Sequence, residues 1–299
     1  MGAVIDLRTL TGETAVVLRG ARRRLAGGDI AGAAATLTYF AAIAIVPWFL
    51  LAVWSTTWFE PDLQAQQELL ALRVLIPPDM GARPAFDALV EAGVQMDPLK
   101  ALVLLFPASF YGEGLRRACL AISPEPDRFT GWRARARVLA LLVAIPVFGL
   151  VFRTVGEQLV TFAPEGGGTG SAGDLIFRTW IGFLATWLVL SVALVWVYRA
   201  VTPGNPRWWV AGVGAITTAS FMAGFLQGFA LFLSLPIDVG IPYAGLDVIG
   251  GVVAVGLWLW ILHMVVLMGW AVTRSLDTVV DGRRGAEPDH TSNDLEEKA

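Results

Sequence analysis

From Ile30 to Phe59 the chain reads IAGAAATLTYFAAIAIVPWFLLAVWSTTWF, without one Asp, Glu, Lys, Arg or His. A helix rises 1.5 Å per residue, so about 20 apolar residues cross a hydrocarbon core of roughly 30 Å, and this run exceeds that length. It starts too late and runs too far for the apolar region of a cleavable signal, and reads as a retained membrane anchor. The span proper is set at Gly32 to Trp58.

Three more runs share this character: Thr179 to Val197 with its flanks, Trp208 to Leu235 and Val248 to Val272. A fifth, Val138 to Phe152, needs Arg153 to Glu157 at its outer end to span. A sixth, Leu99 to Ile122, opens on Lys100 and carries Glu113, Arg116 and Arg117 in its second half. Charge parity argues for counting it. With six spans, 17 of the 22 Lys and Arg residues fall on one side, and only Arg73, Arg83, Lys100, Arg153 and Arg178 fall on the other. The positive-inside rule then places both termini in the cytoplasm. The expected fold is an all-α integral membrane protein of six transmembrane helices.

Composition agrees. Hydrophobic residues make up 56% of the 299, whereas a soluble domain reaches only about 45–50% even with glycine counted. Charged residues, 16% overall, gather between the apolar runs. The single cysteine, Cys119, excludes an intramolecular disulfide, and two histidines leave little from which to build a zinc or haem site. No cofactor or metal is expected. A net charge of -3 gives no general attraction to nucleic acid.

The chain divides into an N-terminal amphipathic segment, 1–29, a six-helix membrane domain, 30–276, and a tail, 277–299. In the first, Leu10, Thr14, Val17, Leu18, Ala21 and Leu25 share one helix face and arginines ring the rest, which suits a helix lying on an anionic leaflet. The connection 60–98 is acidic and broken by Pro77-Pro78, with Leu69, Leu72, Leu75 and Ile76 at helical spacing; two short surface helices are expected there. Residues 166–173, GGGTGSAG, read as a flexible loop that lacks the Lys-Ser/Thr of a phosphate-binding loop. The tail is polar, ends on an acidic stretch and is expected to be disordered.

Within the first span stand Ala33, Ala34, Ala35, then Leu37, Thr38, Tyr39, Phe40 and, seven residues on, Pro47. This resembles the opening signature of the YihY/BrkB family of bacterial inner-membrane proteins, approximately AAALAYYxLLxxxP. Tyr243 and Gly245, followed by Trp258, Trp260 and Gly269, are similar to that family's closing pattern, although Trp260 stands where tyrosine is usual and Ala271 where an acidic residue often follows the glycine. The resemblance covers roughly residues 28 to 275. It implies six spans and an inner-membrane location, in a family connected with transport, envelope lipids and virulence. An older label of that family, ribonuclease BN, finds no metal-ligand cluster in this chain to support it.

Ionisable and polar residues at membrane depth are the candidates for function. His263, mid-way along the last span, is suited to binding a proton or a polar group of a solute, or to the ordinary structural role of a neutral imidazole bonded between helices. Arg153 and Glu157, one turn apart, together with Arg178 would line an outward vestibule, or form a self-neutralised pair at the interface. Pro47 removes a backbone hydrogen bond and can kink the span that holds Tyr39; the family resemblance inclines both toward the substrate path. Gln227, between Gly224 and Gly228, reads as helix packing. Glu113 with Arg116 and Arg117 reads as charge anchoring. Arg22, Arg23, Arg24, Arg133, Arg135 and Arg137 set topology or grip lipid headgroups.

The leading expectation is a transporter or translocation factor for a lipid-like or amphipathic solute. A scaffold binding envelope or virulence-related partners through 60–98 and the tail is the alternative. An enzyme is not expected, since no nucleophile elbow, HExxH or paired aspartates occur in any span. Membrane lipids are the expected partners, with a second copy of the chain and envelope proteins as further candidates.

Overall fold

The computed structural model describes residues 7–58, 66–67, 69–70, 83–124, 131–145, 172–234 and 240–284. Among these residues the regular elements are all helical: α1 (Leu7–Ala26), α2 (Ile30–Thr56), α3 (Arg83–Val94), α4 (Pro98–Ile122), α5 (Gly131–Leu139, drawn on as a 3-10 turn over Ala140–Ala144), α6 (Ala172–Trp196, ending in a π turn over Val197–Val201), α7 (Trp208–Ser234) and α8 (Asp247–Arg284).

Two aspartates start two of the long helices. Asp29 has extended backbone and its carboxylate accepts the Gly32 amide at 2.9 Å; Asp97 accepts the Lys100 amide at 2.9 Å, with Pro98 as the first residue of α4. Each satisfies an amide that the first helical turn leaves without a partner.

Among the described residues, four helices are long and apolar enough to cross a membrane: Ile30–Thr56, Thr179–Val201, Trp208–Phe229 and Asp247–Arg283. No more than 39% of the most apolar window of any of them is buried. Leu184, Leu188 and Val192 form an exposed apolar stripe on α6, and Val248, Val252 and Val255 one on α8. Such faces are costly in water and at home in lipid. Helix α4, at 25 residues, is of similar length but holds Lys100, Glu113, Arg116 and Arg117. The run 138–152 begins as the end of α5 and the 3-10 turn, and beyond residue 145 it lies outside the described residues.

Small residues let the helices approach closely, as lipid-embedded bundles require. Gly114 of α4 meets the Phe40 ring of α2 and Gly112 meets the α5 backbone at Ala134, so a Cβ at either would collide. Gly269 of α8 sits against Tyr198 and Thr218, and Gly214 of α7 against Thr273. Of the GxxxG pair on α7, Gly228 faces Trp258 at 3.7 Å while Gly224 faces open space. Tryptophan indoles tie neighbours together: Trp48 donates to the Ala108 carbonyl at 2.9 Å, Trp187 to Ile216 at 3.1 Å, Trp196 to Arg137 at 2.8 Å and Trp260 to Ala31 at 3.0 Å. The largest core cluster joins α2, α4, α5, α6, α7 and α8 around a fully buried Trp270.

One end of the bundle is rich in arginine. Arg24 of α1 donates to Ser123 after α4 and to Thr278 of α8. The amide of Arg207, before α7, donates to Asp277 of α8 at 3.2 Å, and the Arg207 guanidinium pairs with Asp281. Arg137 of α5 donates to the Ala200 carbonyl at the end of α6. These bonds gather the end of α1, the end of α4, the start of α7 and the last part of α8, and set the last turn of α5 against the end of α6.

Two expectations are corrected. Helix α1 does not rest its whole apolar face on a leaflet: Val17 and Ala21 are buried, Gly20 packs on Ser275 and Glu13 pairs with Arg283, so α8 covers that face, while Leu18 points outward. The segment 277–284 is the last part of α8 and not the beginning of a tail. With 38 residues, α8 is about 57 Å long and must project beyond a core of roughly 30 Å. Residues 285–299 lie outside the described residues, as do 166–171 of the glycine-rich loop and much of the connection 60–98.

Candidate functional site

His263 is 5% exposed, half-way along α8, and touches polar groups of two other helices. Thr38 of α2 uses its single hydroxyl proton on the Ala34 carbonyl at 2.8 Å, so its oxygen accepts from Nδ1–H of His263 at 2.9 Å. Nε2 is then the acceptor for the Tyr111 hydroxyl of α4 at 3.3 Å, with the two rings tilted and their centroids 5.8 Å apart. Both ring nitrogens of a neutral imidazole are thereby satisfied. Tyr111 also packs against the main apolar core, which holds Leu37 and Leu267 beside Thr38 and His263 in their helices. In such surroundings a polar atom without a partner is costly, so α2, α4 and α8 are held in register by this cluster.

A second polar contact lies one turn further along α8. The Tyr198 hydroxyl, from the π turn after α6, donates to the Val266 carbonyl at 2.8 Å and lies 3.2 Å from Thr218 of α7. The structure thus splits α8 between two partners. Its residue 263 belongs to α2 and α4, and its residue 266 to α6 and α7.

At the arginine-rich end Glu113 is 4% exposed. Arg116 binds it with two nitrogens at 3.1 and 3.2 Å and Arg117 with Nε at 2.6 Å. Gly131, at the start of α5, presses on the same carboxylate. The ion pairs lie within α4, two guanidiniums compensating one buried carboxylate, and the start of α5 packs on that carboxylate.

The residues expected to form a substrate path are separated. His263 is in the buried cluster; Pro47 is buried in α2, which continues through it, beside the Trp48 bond to α4. Tyr39 is 65% exposed, its ring edge on Phe40 at 5.7 Å, and takes no part in the His263 contacts. Arg153 and Glu157 lie outside the described residues, as does the side chain of Arg178 on α6.

The basic clusters divide by role. Arg22, Arg23 and Arg133 are exposed, Arg133 lying over Trp132. The other three face protein: Arg24 binds Ser123 and Thr278, Arg135 stacks on the Phe110 ring at 4.2 Å and Arg137 binds Ala200. These three thus bond neighbouring elements, beside the expected part in topology or headgroup binding.

Thr38 and Tyr111 were passed over in the sequence, where a threonine in an alanine-rich run and a lone tyrosine look like filler. The available signal was that a buried tyrosine hydroxyl needs a partner. Among the described residues no group of three or more His, Cys, Asp or Glu is placed to hold a metal ion.

No curated protein and no solved structure matches the chain. A family model described as Virulence factor BrkB matches residues 21–294. That match runs from α1 through the whole helical bundle, and the chain is a membrane protein that belongs to the BrkB family.

Proposed function

We propose that the chain crosses the inner membrane six times, with both termini in the cytoplasm, and serves as a transporter or translocation factor for a lipid-like or amphipathic solute. The six crossings are supported by where the helix ends meet. The end of α1, the end of α4, the start of α7 and the last part of α8 meet at the arginine-rich end, as an even number of crossings between them requires. Impermeant maleimide in whole cells tests the orientation: cysteines placed at Gly12 and Gly282 stay unlabelled and one at Gln95 is labelled. Labelling of Gly12→Cys in intact cells overturns it.

The observation that carries the transport reading is the imidazole of His263 shared by Thr38 and Tyr111. Parting α2 and α4 from α8 exchanges these hydrogen bonds for bonds to a polar solute group. A buried satisfied network thus becomes a solute-binding surface in the open state. An ionisable side chain at this depth is a burden that a purely structural seam of small apolar residues would avoid.

The test is reconstitution into vesicles with labelled phospholipids and amphipathic solutes. Saturable, protein-dependent movement that falls with His263→Ala is the expected result; no movement across the panel overturns the reading. Were the scaffold reading correct, deleting residues 285–299 would release partners and leave every flux at background.

A further inference from the structure

We infer that the cleft between the start of α2 and the end of α4 is a binding site for a phospholipid whose headgroup carries both a phosphodiester and a primary ammonium. The cleft has a volume of about 290 Å³ and is lined by Asp29, Gly32, Ala33 and Thr36 on one side and Arg117, Ala118 and Ala121 on the other. It lies at the arginine-rich end, where a bilayer places its headgroups. Its two charges are of opposite sign. The Asp29 carboxylate caps Gly32 through Oδ1 and retains Oδ2 to accept from an ammonium. Arg117 uses Nε on Glu113 and retains its Nη groups, which suit a phosphate.

What extends from the cleft fits the rest of such a lipid. The Arg117 guanidinium lies over the Phe40 ring at 5.8 Å. From there an aromatic series runs over α2 and α4, Tyr39 against Phe40 at 5.7 Å and Phe40 stacked on Phe110 at 6.3 Å, up to the Arg135 guanidinium of α5, which lies over Phe110 and Phe106. Tyr39 and Phe106 are 65% and 64% exposed. Acyl chains laid on this face would cover apolar surface directly above a charged pocket, the order in which a phospholipid presents its own parts. Charge complementarity selects the class. A glycerol headgroup offers the Asp29 carboxylate only neutral hydroxyls and a quaternary ammonium offers charge without a donor, whereas a primary ammonium offers both. In purpose the site rests on the transport reading, as the place where solute is taken up, but binding is measurable without flux.

The experiment is native mass spectrometry of the purified full chain in detergent, titrated separately with phosphatidylethanolamine, phosphatidylcholine and phosphatidylglycerol of identical acyl chains, and with soluble phosphoethanolamine. Retention of phosphatidylethanolamine over the other two lipids by roughly five- to tenfold is expected, the scale of one charge-assisted contact. Asp29→Asn preserves the helix cap, since Asn caps as well as Asp, and is expected to abolish that preference with thermal unfolding unchanged. Ala121→Leu, which fills the cleft from an exposed position, is expected to weaken retention of all three lipids. Equal retention of the three lipids by the native chain, an unaltered preference in Asp29→Asn, or capture of soluble phosphoethanolamine as strong as that of the lipid overturns the site. Binding as expected with no flux in vesicles would leave the site standing and remove the transport reading.

Discussion

Nδ1 of His263 and the hydroxyl oxygen of Thr38 are 2.9 Å apart, although 225 residues separate them along the chain. The bond joins the last long helix to the first and, through Tyr111, to α4. Thr38→Val keeps the shape of the side chain and deletes the acceptor, leaving Nδ1–H buried without its partner. A loss of about 0.6–2 kcal/mol is expected, the range of interhelical hydrogen bonds in membranes. Thermal unfolding in detergent measures it. In a double-mutant cycle Thr38→Val should cost little once His263 is replaced by Ala; additive losses would show that the pair is not coupled.

Gly269 faces the Tyr198 hydroxyl, where an added Cβ would lie 2.5 Å away, and presses on Thr218 as well. Gly269→Ala is therefore expected to destabilise by about 1–3 kcal/mol, the cost of overfilling a packed core. Adding Thr218→Ala should return part of that loss. A variant as stable as the parent would mean that α7 and α8 separate here at no cost.

Arg22 and Arg24 sit two residues apart on α1, yet only Arg24 reaches other elements, Ser123 and Thr278. Arg24→Ala is expected to loosen α1 and speed limited proteolysis before residue 29 severalfold, on the scale of roughly 1 kcal/mol per lost contact of a charged donor. Arg22→Ala should leave the cleavage rate unchanged. Equal acceleration by both would assign the arginines to general surface charge.

The Lys100 backbone amide, and then its side chain, hold the Asp97 carboxyl below its ordinary value of 3.8. A carboxyl depressed in the folded state stabilises at pH values above 3.8 and loses that contribution as pH falls through its lower folded value. Hydrogen exchange in residues 96–104, corrected for intrinsic rate, should show the first turn of α4 loosening over that acid range. Asp97→Asn keeps the cap and should remove the pH dependence.

Long apolar runs need no partner to announce themselves: Ile30–Thr56 and Trp208–Ser234 were legible because their solvent is lipid, whatever they pack on. The arginine asymmetry could be read only after the spans were counted, since one span more or less moves every later cluster to the other side. The role of each arginine was not legible. Arg22, Arg23 and Arg24 are one run in the sequence, and which of them meets Ser123 is settled by where α4 ends against α1. Helix α1 likewise looked fit for a leaflet because its apolar face is apolar whether lipid or α8 covers it. Tyr39 caught attention by its motif and points outward, while Thr38 beside it meets the buried imidazole. Amino-acid order alone established a helical membrane protein and its long apolar helices, because those depend on local composition. Which side chains of those helices meet was decided by packing between segments hundreds of residues apart, through rotations of whole helices that no local pattern encodes.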